Sequence, residues 1–150
     1  VHRAHDRSRH RIPEAADRVG LLAVAPALGV RETWHAVCRH HLRHEELLAG
    51  TSHSDAIALG IYPVDIHHPG GCRLLFLDGR ESNVAPGGRA IWSRWRDATE
   101  PTPPYYQVPY RSMLPVDAEN LIVAGRLVDA DREAYGALRV MIICNQTGWA

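Results

Sequence analysis

The apolar residues of the chain fall into short runs divided by glycine, proline and charge, and each run predicts an element. Residues 1–11, VHRAHDRSRHR, carry no apolar period and are expected to be disordered or a linker. From Pro13 to Leu28 the chain reads as helical, with Pro13 suited to a first turn and Pro26 as the breaker. VRETWHAVCRHHL alternates loosely and predicts a strand from near Val30. HEELLAG predicts one or two helical turns ending at Gly50, and SDAIALG another, with Ser54 as N-cap and Gly60 as stop. IYPVDIH alternates imperfectly, and Pro63 makes it an edge strand or a bulged one. Residues 79–104 are rich in glycine, proline and charge and read as a long loop. YYQVPYRSMLP reads as extended. NLIVAG is apolar without alternation, as in a parallel strand buried on both faces. From about Leu138, LRVMIICNQTGWA suits helix or strand, and Val140, Ile142 and Ile143 favour strand.

Composition narrows the class. The 150 residues suffice for one ordinary domain, and 45% hydrophobic content excludes compositional disorder. Basic and acidic residues balance at 17 each, all the basic ones arginine, so no nucleic-acid footprint is expected. Cys38, Cys72 and Cys144 match neither a disulfide framework nor a zinc or iron–sulfur spacing, which predicts reduced thiols in a cytoplasmic protein. No run is long enough to span a membrane and no signal peptide opens the chain. The chain starts at Val1 and stops at CNQTGWA inside the last element, and is expected to be part of a larger protein.

Four phrases in order carry a resemblance: GVRETWH (29–35), DAIALGIYPVDIH (55–67), YQVPYRSMLP (106–115) and NLIVAGRLVDADREAYGALRVM (120–141). Together they resemble the C-terminal part of FAD-dependent oxidoreductases of the glutathione-reductase-like flavoprotein superfamily. The resemblance covers roughly residues 12–149. It implies an α/β class (α+β for the fragment): a partial FAD/NAD(P)-binding fold with part of a substrate-facing β region. Residues 12–115 would belong to that substrate-facing region. Residues 116–150 would supply the closing strand and helix of the FAD-binding domain, with the helix from about Arg139. The family's N-terminal Gly-x-Gly-x-x-Gly turn, which holds the pyrophosphate, is not in this sequence. Trp34, His35, Cys38 and Asp129 depart from the family's usual residues, which bears on substrate more than on fold.

The resemblance also implies residue roles. FAD is the expected cofactor. Gly125 would let the backbone pass close to it, beside Arg126, and Asp129 would accept hydrogen bonds from the ribityl hydroxyls. Arg139 and Val140 would open the final helix, whose N-terminus carries about half a positive charge, toward the flavin N1–C2=O edge. Tyr110 and Arg111 would meet substrate, with Arg31 and His67 above the flavin and His67 suited to proton transfer. Arg31 paired with Glu32 or Asp65, and His67 as a polar strand end, are the structural alternatives. The expected partners are a small-molecule substrate and the N-terminal part of the same polypeptide. An iron–sulfur centre occurs in some relatives, but no cysteine motif supports one here. Two rival functions are a non-catalytic binding remnant of the fold and a histidine-metal hydrolase. His40 and His44 are four apart, but HHLRHEE lacks the His-Glu-x-x-His order, so no metal ligands are expected.

Overall fold

A computed structural model describes residues 35–150. The expected linker over 1–11, the helix from Pro13 to Leu28 and Arg31 lie outside the described residues.

The first described helix, α1 (His44–Ala49), is built as HEELLAG suggests. The Glu46 side chain accepts from the Arg43 N–H at 3.0 Å, and Gly50 ends the helix in the left-handed region at φ 63°. Strand β1 (Ala56–Gly60) follows and pairs antiparallel with β6 (Tyr106–Pro109). Between them lies a four-stranded antiparallel meander in sequence order: β2 (Val64–His68), β3 (Gly71–Leu75), β4 (Arg80–Val84) and β5 (Ala90–Arg94). A 3-10 turn runs from Tyr110 to Met113 and a second from Gly125 to Leu127. Helices α2 (Arg132–Leu138) and α3 (Met141–Trp149) close the chain. None of the described helices is long and apolar enough to cross a membrane.

This is an α+β arrangement with two antiparallel sheets, not a parallel α/β layer. NLIVAG is the clearest correction. Leu121 and Ile122 are 51% and 54% exposed, and no parallel strand lies beside them among the described residues. A strand needs a ladder partner; here Val123, whose N–H donates to Met113 O at 2.9 Å, turns inward and Ala124 packs partly against the core. SDAIALG is strand, because its residues alternate toward the core and pair with β6; Ser54 and Gly60 bound a strand, not a helix. The predicted loop over 79–104 contains β4 and β5. Every residue of β5 is exposed, so no buried face prints an alternation. Near Cys38 and Leu42 only isolated bridges form, to Pro115 and Ala130. Helix α2 was not predicted, and the last helix starts at Met141 instead of Arg139. Val64–His68 is an edge strand, as Pro63 predicted.

Residues on both sides of position 116 share one core, including Leu42, Leu47, Val64, Tyr106, Val108, Val128, Leu138 and Ile143. Helix α2 lies against β2 at Gly136, where a Cβ would stand 2.2 Å from the Asp65 carbonyl oxygen. Only glycine permits that approach. Gly148, in α3, has open space around it. Gly136→Ala should therefore destabilise the fold by about 1–3 kcal/mol through overpacking. Gly148→Ala should be neutral or stabilising by up to ~1 kcal/mol. Urea unfolding midpoints check the pair; a neutral Gly136→Ala would mean that α2 is not pressed onto β2.

Candidate functional site

The residues singled out by sequence separate into four places. The first is a clasp built by VDAD. Asp129 and Asp131 lie two apart on extended backbone, so their side chains share one side. Between them, main-chain bonds tie the segment to Leu42: Leu42 N–H donates to Asp129 O at 3.1 Å, and Asp131 N–H donates to Leu42 O at 3.0 Å. Asp129 is 7% exposed and accepts from Cys38 N–H and from His41 Nδ1, both at 2.7 Å. Both oxygens that were to meet the ribityl chain thus have donors from this chain. Burial first, and then the Asp129 charge, push the Cys38 thiol up to about 11, so it stays protonated at neutral pH. Asp131 accepts from His44 N–H at 2.9 Å and His44 Nδ1 at 3.0 Å, and caps α2 through Ala134 N–H at 2.6 Å.

The second place is the turn at Gly125 and Arg126. Gly125 adopts φ 61°, and its N–H donates to Thr147 Oγ1 at 3.0 Å. Arg126 is exposed, and its carbonyl accepts from the Tyr135 hydroxyl at 3.0 Å.

The third place gathers Tyr110 and Arg111 with histidines. Arg111 Nη1 is paired with Asp55 Oδ1, its N–H donates to Asp55 Oδ2 at 3.0 Å, and Nη2 lies 3.1 Å from His53 Nδ1. The Tyr110 N–H donates to Asp55 O at 2.7 Å. Burial, with help from Arg111 and His40, outweighs the pull of Glu46 and holds His53 below its ordinary value. Sequence reasoning saw the 40–44 histidine pair; the fold instead brings His40, Glu46 and His53 together. Spacing around one short helix and the next loop gave little signal for that grouping.

The fourth place holds His67, Arg139 and Val140. His67 Nε2 is 3.1 Å from Asp65 Oδ1, and Arg139 Nη2 is 3.8 Å from Asp65 Oδ2. Both line a polar cavity of about 280 Å³ with Arg132, Tyr135 and Gly136. Arg132 also donates to the His67 carbonyl at 3.0 Å, covering the edge of β2. Tyr62 feels the negative charge of Asp65. Burial and that negative neighbour raise the Tyr62 hydroxyl.

Tyr62 also belongs to an apolar groove of about 550 Å³, walled by Ile61, Tyr105, Val140, Met141 and Ile142 among others. Ile61, Met141 and Ile142 are 74%, 76% and 69% exposed. Val140, in extended conformation, is the N-cap of α3, and no side chain caps that helix. Its first amide N–H groups therefore have no intrahelical acceptor. Arg139 ends α2 instead of starting α3.

A family model described as FAD dependent oxidoreductase matches residues 2–150. No curated protein and no solved structure matches the chain. The three cysteines are free and, among the described residues, none belongs to a group of clustered ligating side chains, so the iron–sulfur possibility gains no support.

The clasp carries a pH signature. Burial alone would raise the Asp131 carboxyl, but its donors at Ala134 and His44 outweigh burial and hold it below the ordinary carboxylate range. A depressed folded value gives stability that is present above the unfolded value, about 3.9, and is lost as pH falls through the folded value. Asp131→Asn should cost about 1 kcal/mol at neutral pH, and the difference from wild type should shrink below about pH 4. Urea midpoints across pH check it; a constant difference down to strong acid would contradict the assignment of the acid limb to Asp131.

Proposed function

This chain belongs to the FAD dependent oxidoreductase family, and we propose that the start of α3 and the adjoining groove receive the isoalloxazine end of the cofactor. The observation that carries the reading is the coincidence of an uncapped helix start with an apolar groove. The isoalloxazine is a flat, largely apolar ring system with one polar pyrimidine edge. Ile61, Tyr62, Tyr105, Met141 and Ile142 offer apolar and aromatic walls for the ring faces. The amide N–H groups of the first α3 turn, with the helix dipole behind them, offer donors for the polar edge. A groove of about 550 Å³ falls within the size range of cofactor sites. When bound, FAD accepts or gives a hydride equivalent, which no side chain can do.

The chain's own residues then have divided tasks. Val140 sets the turn that points the α3 amides into the groove. Tyr62 joins the groove to Asp65, and Asp65 holds His67 at the polar cavity on the other side. His67, 60% exposed at its side chain, would take a proton from a substrate, with Asp65 steadying the imidazolium. Arg132 and Arg139 favour a substrate carrying an anionic group. Arg111 is committed to Asp55 and His53, and with Tyr110 it ties β6 to the turn before β1. Asp129 works as a clasp.

The glycine-rich pyrophosphate turn is not among these 150 residues, so in this reading they bind the flavin end alone. Titration of the protein with riboflavin and with FAD, followed by flavin fluorescence, should then give affinities within about threefold of each other. Ile142→Glu should weaken both at least about tenfold, a loss of ~1.4 kcal/mol, by putting an unpaired charge against the ring. FAD binding far more tightly than riboflavin would place the ADP half-site in this chain. Riboflavin affinity unchanged in a folded Ile142→Glu would remove the ring from the groove.

A further inference from the structure

We propose that His40, Glu46 and His53 form a binding site for one borderline divalent cation, represented by zinc, separate from the flavin groove. The three ligating atoms lie within 4.8 Å of one another. Glu46 Oε2 is 3.1 Å from His40 Nε2 and 3.6 Å from His53 Nε2. Ligands bound tetrahedrally to zinc at ~2.0–2.1 Å stand about 3.3 Å apart, so little movement is needed to close the set. Two imidazoles and one carboxylate leave a fourth position open, the pattern of a site that can also hold water or a small ligand.

The fold holds two of the three donors through their other atoms. Glu46 spends Oε1 on the Arg43 N–H at the start of α1, which leaves Oε2 for the cluster. His53 is pinned by its own N–H to Gln107 Oε1 at 2.7 Å, on β6. His40 follows the bridge between Cys38 and Pro115. The independent observation is at His53. Its side chain is 4% exposed, and its Nε2 is buried without a hydrogen-bond partner while facing Glu46. A buried ring nitrogen left unpaired is uncommon, and here it points into a cluster of two other ligand atoms. The neighbouring group of His44, Asp131 and Glu133 differs: both Asp131 oxygens already accept hydrogen bonds within the clasp.

Arg111 sets the proton balance of binding. A guanidinium only donates, so His53 Nδ1 is the acceptor at 3.1 Å and the ring proton rests on Nε2. A cation on Nε2 displaces that proton to Nδ1. Arg111 Nη2 then gives up its bond to Nδ1, while Nη1 keeps its pairing with Asp55.

The test uses protein stripped by a chelator, titrated with Zn²⁺ against a chromophoric competitor and separately loaded with Co²⁺. Wild type should take up an equivalent of zinc that Glu46→Gln and His53→Gln each weaken by at least about tenfold, with His44→Ala unchanged. Gln at 46 keeps an acceptor for the Arg43 N–H, so its effect reads the lost charge and not a lost cap. Zinc should raise the melting temperature of wild type but not of Glu46→Gln, and Co²⁺ should show the intense visible bands of a tetrahedral site. Zinc uptake equal in wild type and Glu46→Gln would overturn the proposal. So would a loss confined to His44→Ala, which would put the ion at the neighbouring group.

Discussion

Two carboxylates spaced by one residue hold this structure together. Asp129 and Asp131 face a segment that lies close to ninety positions earlier in sequence, and the Leu42 main chain is bonded between them. Hydrogen bonds to a charged acceptor are stronger than neutral ones, and these are buried or half-buried. Their consequences run forward along the chain. Asp131 fixes where α2 starts. That start sets Gly136 against Asp65, an approach a side chain would block. The end of α2 at Arg139 and the extended Val140 then fix where α3 begins and which way its free amides face.

The apolar groove gains meaning from that chain of dependence. Folding buries apolar area wherever geometry allows, at roughly 25 cal/mol per Å². Yet Ile61, Met141 and Ile142 stay exposed together around one concavity, a surface of the kind that meets a ligand or partner. Asp65 joins this groove to the polar cavity. Its charge acts on Tyr62 at the apolar side, and through His67 it touches the side lined by two arginines. A cofactor face and a substrate face would thus share one carboxylate, with the α2–β2 contact keeping both in register.

Local chemistry made some of this legible in sequence. The capping residues of HEELLAG and Gly50 state a short helix outright, and Pro63 marks an edge strand because it cannot donate to a ladder. Other elements are silent for physical reasons. Strand β5 buries no face, so AIWSR shows no alternation. REAYGAL carries a glycine that reads as a breaker, whereas Gly136 is there to admit the Asp65 backbone. NLIVAG shows that an unbroken apolar run states neither its partner nor its pairing. At the site, sequence picked out Asp129 but not its donors, Cys38 and His41, because nothing local marks a contact across 91 and 88 positions. His53 and Tyr62 were missed for the same reason: each gains its significance from a neighbour supplied by another element.

The central claim is that the first turn of α3 receives the flavin ring. Amide chemical shifts of ¹⁵N-labelled protein during titration with riboflavin test it most directly. The largest changes are expected at the N–H groups of Met141, Ile142 and Ile143, with smaller ones at Ile61 and Tyr62. Shifts that leave the α3 start untouched, or that centre on another surface, would contradict it.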